Sequence, residues 1–75
     1  MKELVEYIAK SLVDDPTEVR VLEKHDRREI RIELKVAEAD MGRIIGRNGR
    51  VANAIRALLR AAASRRGQRT SLDIL

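Results

Sequence analysis

Apolar and polar residues alternate with two different periods along the chain. Leu4, Val5, Ile8 and Leu12 recur every three to four residues, which predicts an amphipathic helix over residues 3–13. Asp14-Asp15-Pro16 should end it, because proline disfavours helix at the residue before it and cannot continue one. Over 17–23 the period changes to two, with Val19 and Val21 set against Glu18 and Arg20, as in a strand. Residues 24–27 are polar and read as a hairpin turn. The cleanest alternation is 29–36. There Ile30, Ile32, Leu34 and Val36 share one face, while Glu29, Arg31, Glu33 and Lys35 share the other, so this sheet buries one side and wets the other.

Asp40 suits the N-cap of a short helix over Met41–Ile45, which Gly46 stops. A longer helix is expected over about 50–64. Its apolar stripe is Val51, Ile55, Leu58, Leu59 and Ala62, opposite Asn53, Arg56 and Arg60. Arg65 and Arg66 fit its C-terminal dipole and Gly67 its C′ position. Residues 69–75 alternate again as a last strand. The order α-β-β-α-α-β describes one α+β domain over residues 1–75, a three-stranded sheet packed on helices.

Composition narrows the function. The chain carries a net charge of +4 with 37% charged residues, which raises the expectation of a nucleic-acid partner. One Tyr and no Phe or Trp argue against recognition by stacking bases on aromatic rings. With no Cys and a single, isolated His25, neither disulfides nor a metal site are expected. No apolar run approaches the ~20 residues that span a bilayer. The acidic residues within the first apolar run do not fit a signal peptide, so a cytoplasmic location is expected. No nucleophile–base–orienter set stands out, Asp14 and Asp15 read as a helix stop, and neither an enzyme nor a cofactor is expected.

The segment Arg43-Ile44-Ile45-Gly46-Arg47-Asn48-Gly49-Arg50-Val51 joins the two later helices. Gly46 and Gly49 allow φ > 0 and a close backbone approach. The amides that open the long helix form an anion site. Arg47 and Arg50 are placed to neutralise phosphates. Ile44, Ile45 and Val51 offer apolar surface for bases. Arg20, Arg31 and Lys35, interleaved with Glu18, Glu29 and Glu33, read instead as a sheet face laced with ion pairs.

Together with Ile55 downstream, the run from Ile45 to Val51 resembles the KH-domain signature, in which an isoleucine precedes a G-x-x-G loop that clamps four nucleotides by their backbone. The element order is similar to the type II KH arrangement. Over the whole chain the resemblance is to the bacterial small stand-alone KH proteins of the KhpA type. It implies a protein that binds single-stranded RNA with low sequence specificity and forms a homodimer, or a heterodimer with a larger KH protein carrying a second RNA-binding domain. It also implies a link to cell-envelope and division control. On that resemblance the RNA-binding residues are Gly46, Arg47, Asn48, Gly49, Arg50, Arg43, Ile45 and Val51. Nucleotides would lie between the loop helices and the strand 29–36. Asn48 is neutral at a variable loop position, and Asn53 stands where the family favours a basic residue. The basic hairpin turn, with Lys24, Arg27 and Arg28, is expected to supply the missing charge. The alternative is a dimerisation module with weak or no nucleic-acid binding, built on Leu59, Ala62 and Ala63. Single-stranded DNA is a further possible ligand of the same loop.

Overall fold

A computed structural model describes all 75 residues. Helix α1 covers Lys2–Leu12, strands β1 and β2 cover Arg20–His25 and Glu29–Lys35, helices α2 and α3 cover Met41–Ile45 and Arg50–Ser64, and strand β3 covers Arg69–Ile74. The sheet order is β1-β2-β3, with β1 antiparallel and β3 parallel to the central β2. All three helices lie on one face, α1 over β1 and α3 over β3. This is the expected α+β arrangement.

The alternation of β2 places Ile30, Ile32 and Leu34 fully beneath the helices. Burying each contributes about 1.5–3 kcal/mol. Val5, Ala9, Ile44, Ile55, Leu59 and Leu72 close the core around them. The opposite face carries Arg20, Leu22, Lys24, Arg31, Lys35, Arg69 and Asp73 in solvent. It is less laced with ion pairs than expected: only Lys24–Glu33 forms, at 3.6 Å. Arg20 lies directly opposite Lys35, and Lys24 opposite Arg31, so like charges face each other across the strands.

Three expectations need correction. Strand β1 begins at Arg20, not at residue 17, because Pro16 opens a tight 3₁₀ turn over Pro16–Glu18 and fixes its first φ. The strand then runs on through Lys24 and His25. The hairpin turn is Asp26-Arg27-Arg28, where Asp26 Oδ1 accepts from the amides of Arg28 and Glu29, both at 2.8 Å. Those two bonds hold the Asp26 carboxyl below its ordinary value. On α3 the buried stripe is Ala52, Ile55, Leu59 and Ala63, whereas Leu58 is 54% exposed. The helix is therefore turned away from the stripe read through Leu58 and Ala62. Leu59 and Ala63 belong to the core, so they are not free to form a dimer surface. The C-terminus of α3 ends as expected. Gly67 takes φ 67°, with Gln68 N donating to Ala63 O and Gly67 N to Ser64 O, both at 3.0 Å, in a Schellman arrangement.

Glu23 interrupts the apolar parity of β1 for a reason. Its Oε1 accepts from Lys2 N at 3.1 Å and lies 3.5 Å from the terminal amine, while Oε2 meets His25 Nε2 at 2.9 Å. It thus anchors the positive end of α1 to the sheet. The His25 hydrogen bond, aided by the terminal amine, lowers the Glu23 pKa against a smaller opposing effect of burial. A lowered folded-state pKa stabilises above the unfolded value and is lost as pH falls through the folded one. Replacing Glu23 by Gln is expected to cost about 1 kcal/mol at neutral pH, or roughly 4–8 °C in Tm. That difference should close in acid, where the native carboxyl is itself protonated; thermal melts of both proteins across pH check it.

Candidate nucleic-acid interface

The glycine loop is built from the end of α2 outward. Gly46 N closes α2 on Gly42 O at 2.8 Å. Gly46 then takes φ 74°, ψ 171°, a region of backbone space open essentially only to glycine. A Cβ there would stand 2.5 Å from Val51 Cγ2 and 2.8 Å from Val51 N. Asn48 and Gly49 follow in the left-handed region, with φ 57° and 76°. Asn tolerates that conformation better than most side chains, which suits its place next to a glycine. Gly49 N returns to Gly46 O at 3.2 Å, so the loop is one tight turn.

This turn aims Arg47, Asn48 and Arg50 outward. All three are exposed, and neither arginine takes part in an ion pair. Gly49 offers α3 no side-chain cap; the Arg50 amide turns back to Arg47 O, and the amides that follow it have no capping side chain to compete with an anion. Two exposed, unpaired cations and a helix N-terminus therefore converge on one edge.

Beside the loop runs a groove. Ile45, Gly49, Ala52 and Arg56 form one wall, and Ile74 and Leu75 form the other with Asp73 at the rim. The groove borders β3, not the strand 29–36 expected from the sequence. Strand β2 is central, with both edges paired, whereas β3 is an edge strand facing the helices. Of the apolar residues around the loop, Ile45 is 39% exposed and reaches the groove, but Ile44 is entirely core. Val51 is half-buried and packs under Gly46 and against the core, so it shapes the loop from behind.

Arg43 stands apart from the other loop arginines. Its guanidinium pairs with Asp14 at 2.9 Å and with Asp40 at 3.4 Å. Asp40 does not cap α2 with its side chain, as the sequence led one to expect. Only 3% exposed, its carboxylate turns back to accept from Asp14 N at 3.1 Å and Asp15 N at 3.2 Å, which are left open where α1 ends. A buried carboxylate requires such partners, and Arg43 supplies the cation.

Arg56, read from the sequence as a solvated residue on the polar side of the long helix, lines the groove instead. It is half-buried, and its Nη2 donates to Leu72 O on β3 at 3.2 Å while Nη1 lies 3.4 Å from Asn53 Oδ1. The available signal was spacing: Gly49, Ala52 and Arg56 fall at i, i+3 and i+7, on the helix face that continues from the loop.

A helix–GRNG–helix unit set beside the parallel edge strand of an α-β-β-α-α-β domain defines a KH domain of the type II order. A family model described as "KhpA/KhpB, KH domain" matches residues 2–74, and the chain belongs to that family. It is 51% identical over 75 residues, the full length of both chains, to "RNA-binding protein KhpA" of Clostridium acetobutylicum. It is 52% identical, again over both full lengths, to the protein of that name from Caldanaerobacter subterraneus subsp. tengcongensis. With its counterpart in Borreliella burgdorferi it shares 47% over 73 residues, 97% of this chain and 89% of the other. No solved structure matches the chain.

Two expectations follow from this geometry. Gly46→Ala should destabilise far more than Gly49→Ala. The first adds an overlap with Val51 to a conformational penalty of about 1–3 kcal/mol, while the second meets only Asn53 Nδ2 at 3.7 Å and costs about 1–2 kcal/mol. Chemical denaturation of both variants checks the order. Arg43→Ala should lower stability by about 1–3 kcal/mol, because it leaves Asp40 buried without its cation. It should leave ligand affinity near native wherever the protein stays folded; an affinity loss as large as that of an Arg47 variant would place Arg43 among the contacts.

Proposed function

We propose that the chain binds single-stranded RNA, with the Gly46–Gly49 turn holding the sugar-phosphate backbone and the groove along β3 receiving about four nucleotides. The observation that carries this reading is the convergence of Arg47, Arg50 and the uncapped N-terminus of α3 on the mouth of an apolar groove. The relatives bearing the name RNA-binding protein support it. Arg47 and Arg50 neutralise phosphates, Ile45, Ala52 and Ile74 receive the base faces, and the free backbone groups of the edge strand β3 offer hydrogen bonds to base edges. Arg56 already occupies one of those carbonyls, and few other polar side chains reach the groove, so sequence preference is weak. Nothing in this role calls for catalysis, and it belongs to a cytoplasmic protein; no helix here is long and apolar enough to cross a membrane.

A second reading rests on a separate observation. Leu58 projects from the outer side of α3 beside the exposed Ala54 and Ala61, an apolar strip with the half-buried Ala62 at its margin. It would pair the domain with a second copy or with the KH domain of a larger protein. Because one domain engages few nucleotides, such pairing raises affinity by linking two grooves. A Leu58→Glu variant should then sediment as a monomer under conditions where the native chain is dimeric.

Fluorescence anisotropy with a pool of single-stranded RNA tests the primary reading. The native protein should bind with a log–log salt slope of about −0.7 per phosphate neutralised. The double variant Arg47→Asp, Asn48→Asp, shown to be folded by circular dichroism, should bind at least about tenfold more weakly. Equal binding by the two proteins would move the function to the Leu58 face. Parallel titrations with matched DNA measure the contribution of the 2′-hydroxyls.

A further inference from the structure

A second concentration of positive charge lies at the far end of α3 from the glycine loop. The hairpin turn contributes Arg27 and Arg28, the connection from α3 to β3 contributes Arg65 and Arg66, and β3 opens with Arg69. All five are exposed and none forms an ion pair. The only acidic groups lining the depression here are Asp26 and Glu29, and Asp26 Oδ1 is turned into its own loop amides. The two loops are tied together. Arg69 N donates to Arg28 O at 2.7 Å, and the Schellman turn at Gly67 fixes the approach from α3. Arg27, Arg28 and Arg69 consequently share the walls of one open depression.

The seam between α3 and β3 connects this depression to the groove. Arg56 lines the groove beside the glycine loop and also the next hollow along the seam, which Arg60 and Thr70 border. Thr70 Oγ1 is the one buried side-chain oxygen in the protein that lacks a hydrogen-bond partner. Such an orphan is rare in a settled fold, and it occurs here between two arginines on the line joining the basic sites. Arg69, the next residue back along β3, projects to the other face of the sheet, so a strand following the seam reaches it by rounding the free edge of β3. Helix α3, with 15 residues, holds the two ends about 22 Å apart. Four nucleotides held in the groove leave the distal arginines without a partner.

We infer that Arg27, Arg28 and Arg69 form a second phosphate-binding site, so that a longer single-stranded RNA leaves the groove past Arg56, Arg60 and Thr70 and is held again at the hairpin. This rests on the glycine loop being the primary RNA clamp. Arginine suits the role because its fork bonds phosphate oxygens in pairs.

The test compares four folded proteins on two ligands, a four-nucleotide RNA and a single strand several times longer. They are the native chain; the distal variant Arg27→Gln, Arg28→Gln, Arg69→Gln; the loop variant Arg47→Asp, Asn48→Asp; and a charge-matched control, Lys10→Gln, Arg20→Gln, Lys35→Gln, altered on α1 and at the end of the outer sheet face away from the hairpin turn. The distal variant should lose roughly tenfold or more on the long RNA, and its salt slope should flatten by about 0.7 for each phosphate contact removed. On the four-nucleotide RNA it should match native. The control should retain long-RNA affinity. A loss equal in the control and distal variants would reduce the effect to net charge and overturn the proposal. So would a distal variant that binds long RNA like native while the loop variant fails, an outcome that leaves the primary clamp intact. Equal binding of both RNAs by native and loop variant would remove the clamp and this site with it.

Discussion

The passage of Gly46 against Val51 is the constraint on which the functional end of the molecule turns. Only a residue without a Cβ lets the backbone leaving α2 come so close to the first turn of α3. That proximity sets the helices at their angle, exposes the uncapped amides of α3 and throws the next two side chains into solvent. The apolar side chain of Val51 supports the turn from the core side. The loop is therefore held by packing as well as by its own hydrogen bonds, and its cations are displayed by a rigid mount.

A second constraint works behind it. The Asp40 carboxylate collects the amides left open where α1 ends, and Arg43 balances its charge. This fastens the start of α2 to the end of α1. The same sequence region thus divides its arginines between two tasks that look alike on paper. Arg43 neutralises an internal charge, while Arg47 and Arg50, a few residues later, have none to neutralise. The difference is one of element: Arg43 lies on α2 against the end of α1, whereas Arg47 lies in the turn beyond that helix and Arg50 opens α3.

The elements whose signals were local were legible in the sequence. Strand β2 announced itself by strict alternation, and α3 was bounded by Gly49 and Gly67, whose positive φ values end helices for steric reasons. What was obscured depended on partners distant in sequence. The alanines at 61–63 are compatible with any helix face, so periodicity could not tell whether Leu58 or Ala63 turns inward; the packing against β3 decides it. The side chain of Asp40 had a local use as a cap and a remote one at Asp14 and Asp15, and the remote one prevails. The groove strand was misplaced because the strength of an apolar pattern marks the centre of a sheet, whereas a groove needs its edge. The loop residues themselves were legible, since their chemistry lies in consecutive positions, but Arg56 acquires its place only when β3 folds back beside α3.

Gly46 and Gly49 also separate what can vary from what cannot. Both are committed by backbone geometry, and Val51 and Ile44 by the core. The side chains at 47 and 48 are exposed and form no hydrogen bond or ion pair, so substitutions there that tolerate the turn change the surface chemistry without disturbing the architecture. In this chain they carry one arginine and one asparagine. Exchanging those two side chains would therefore retune the charge that the loop displays, as an instrument is retuned by its pegs while the frame stays the same.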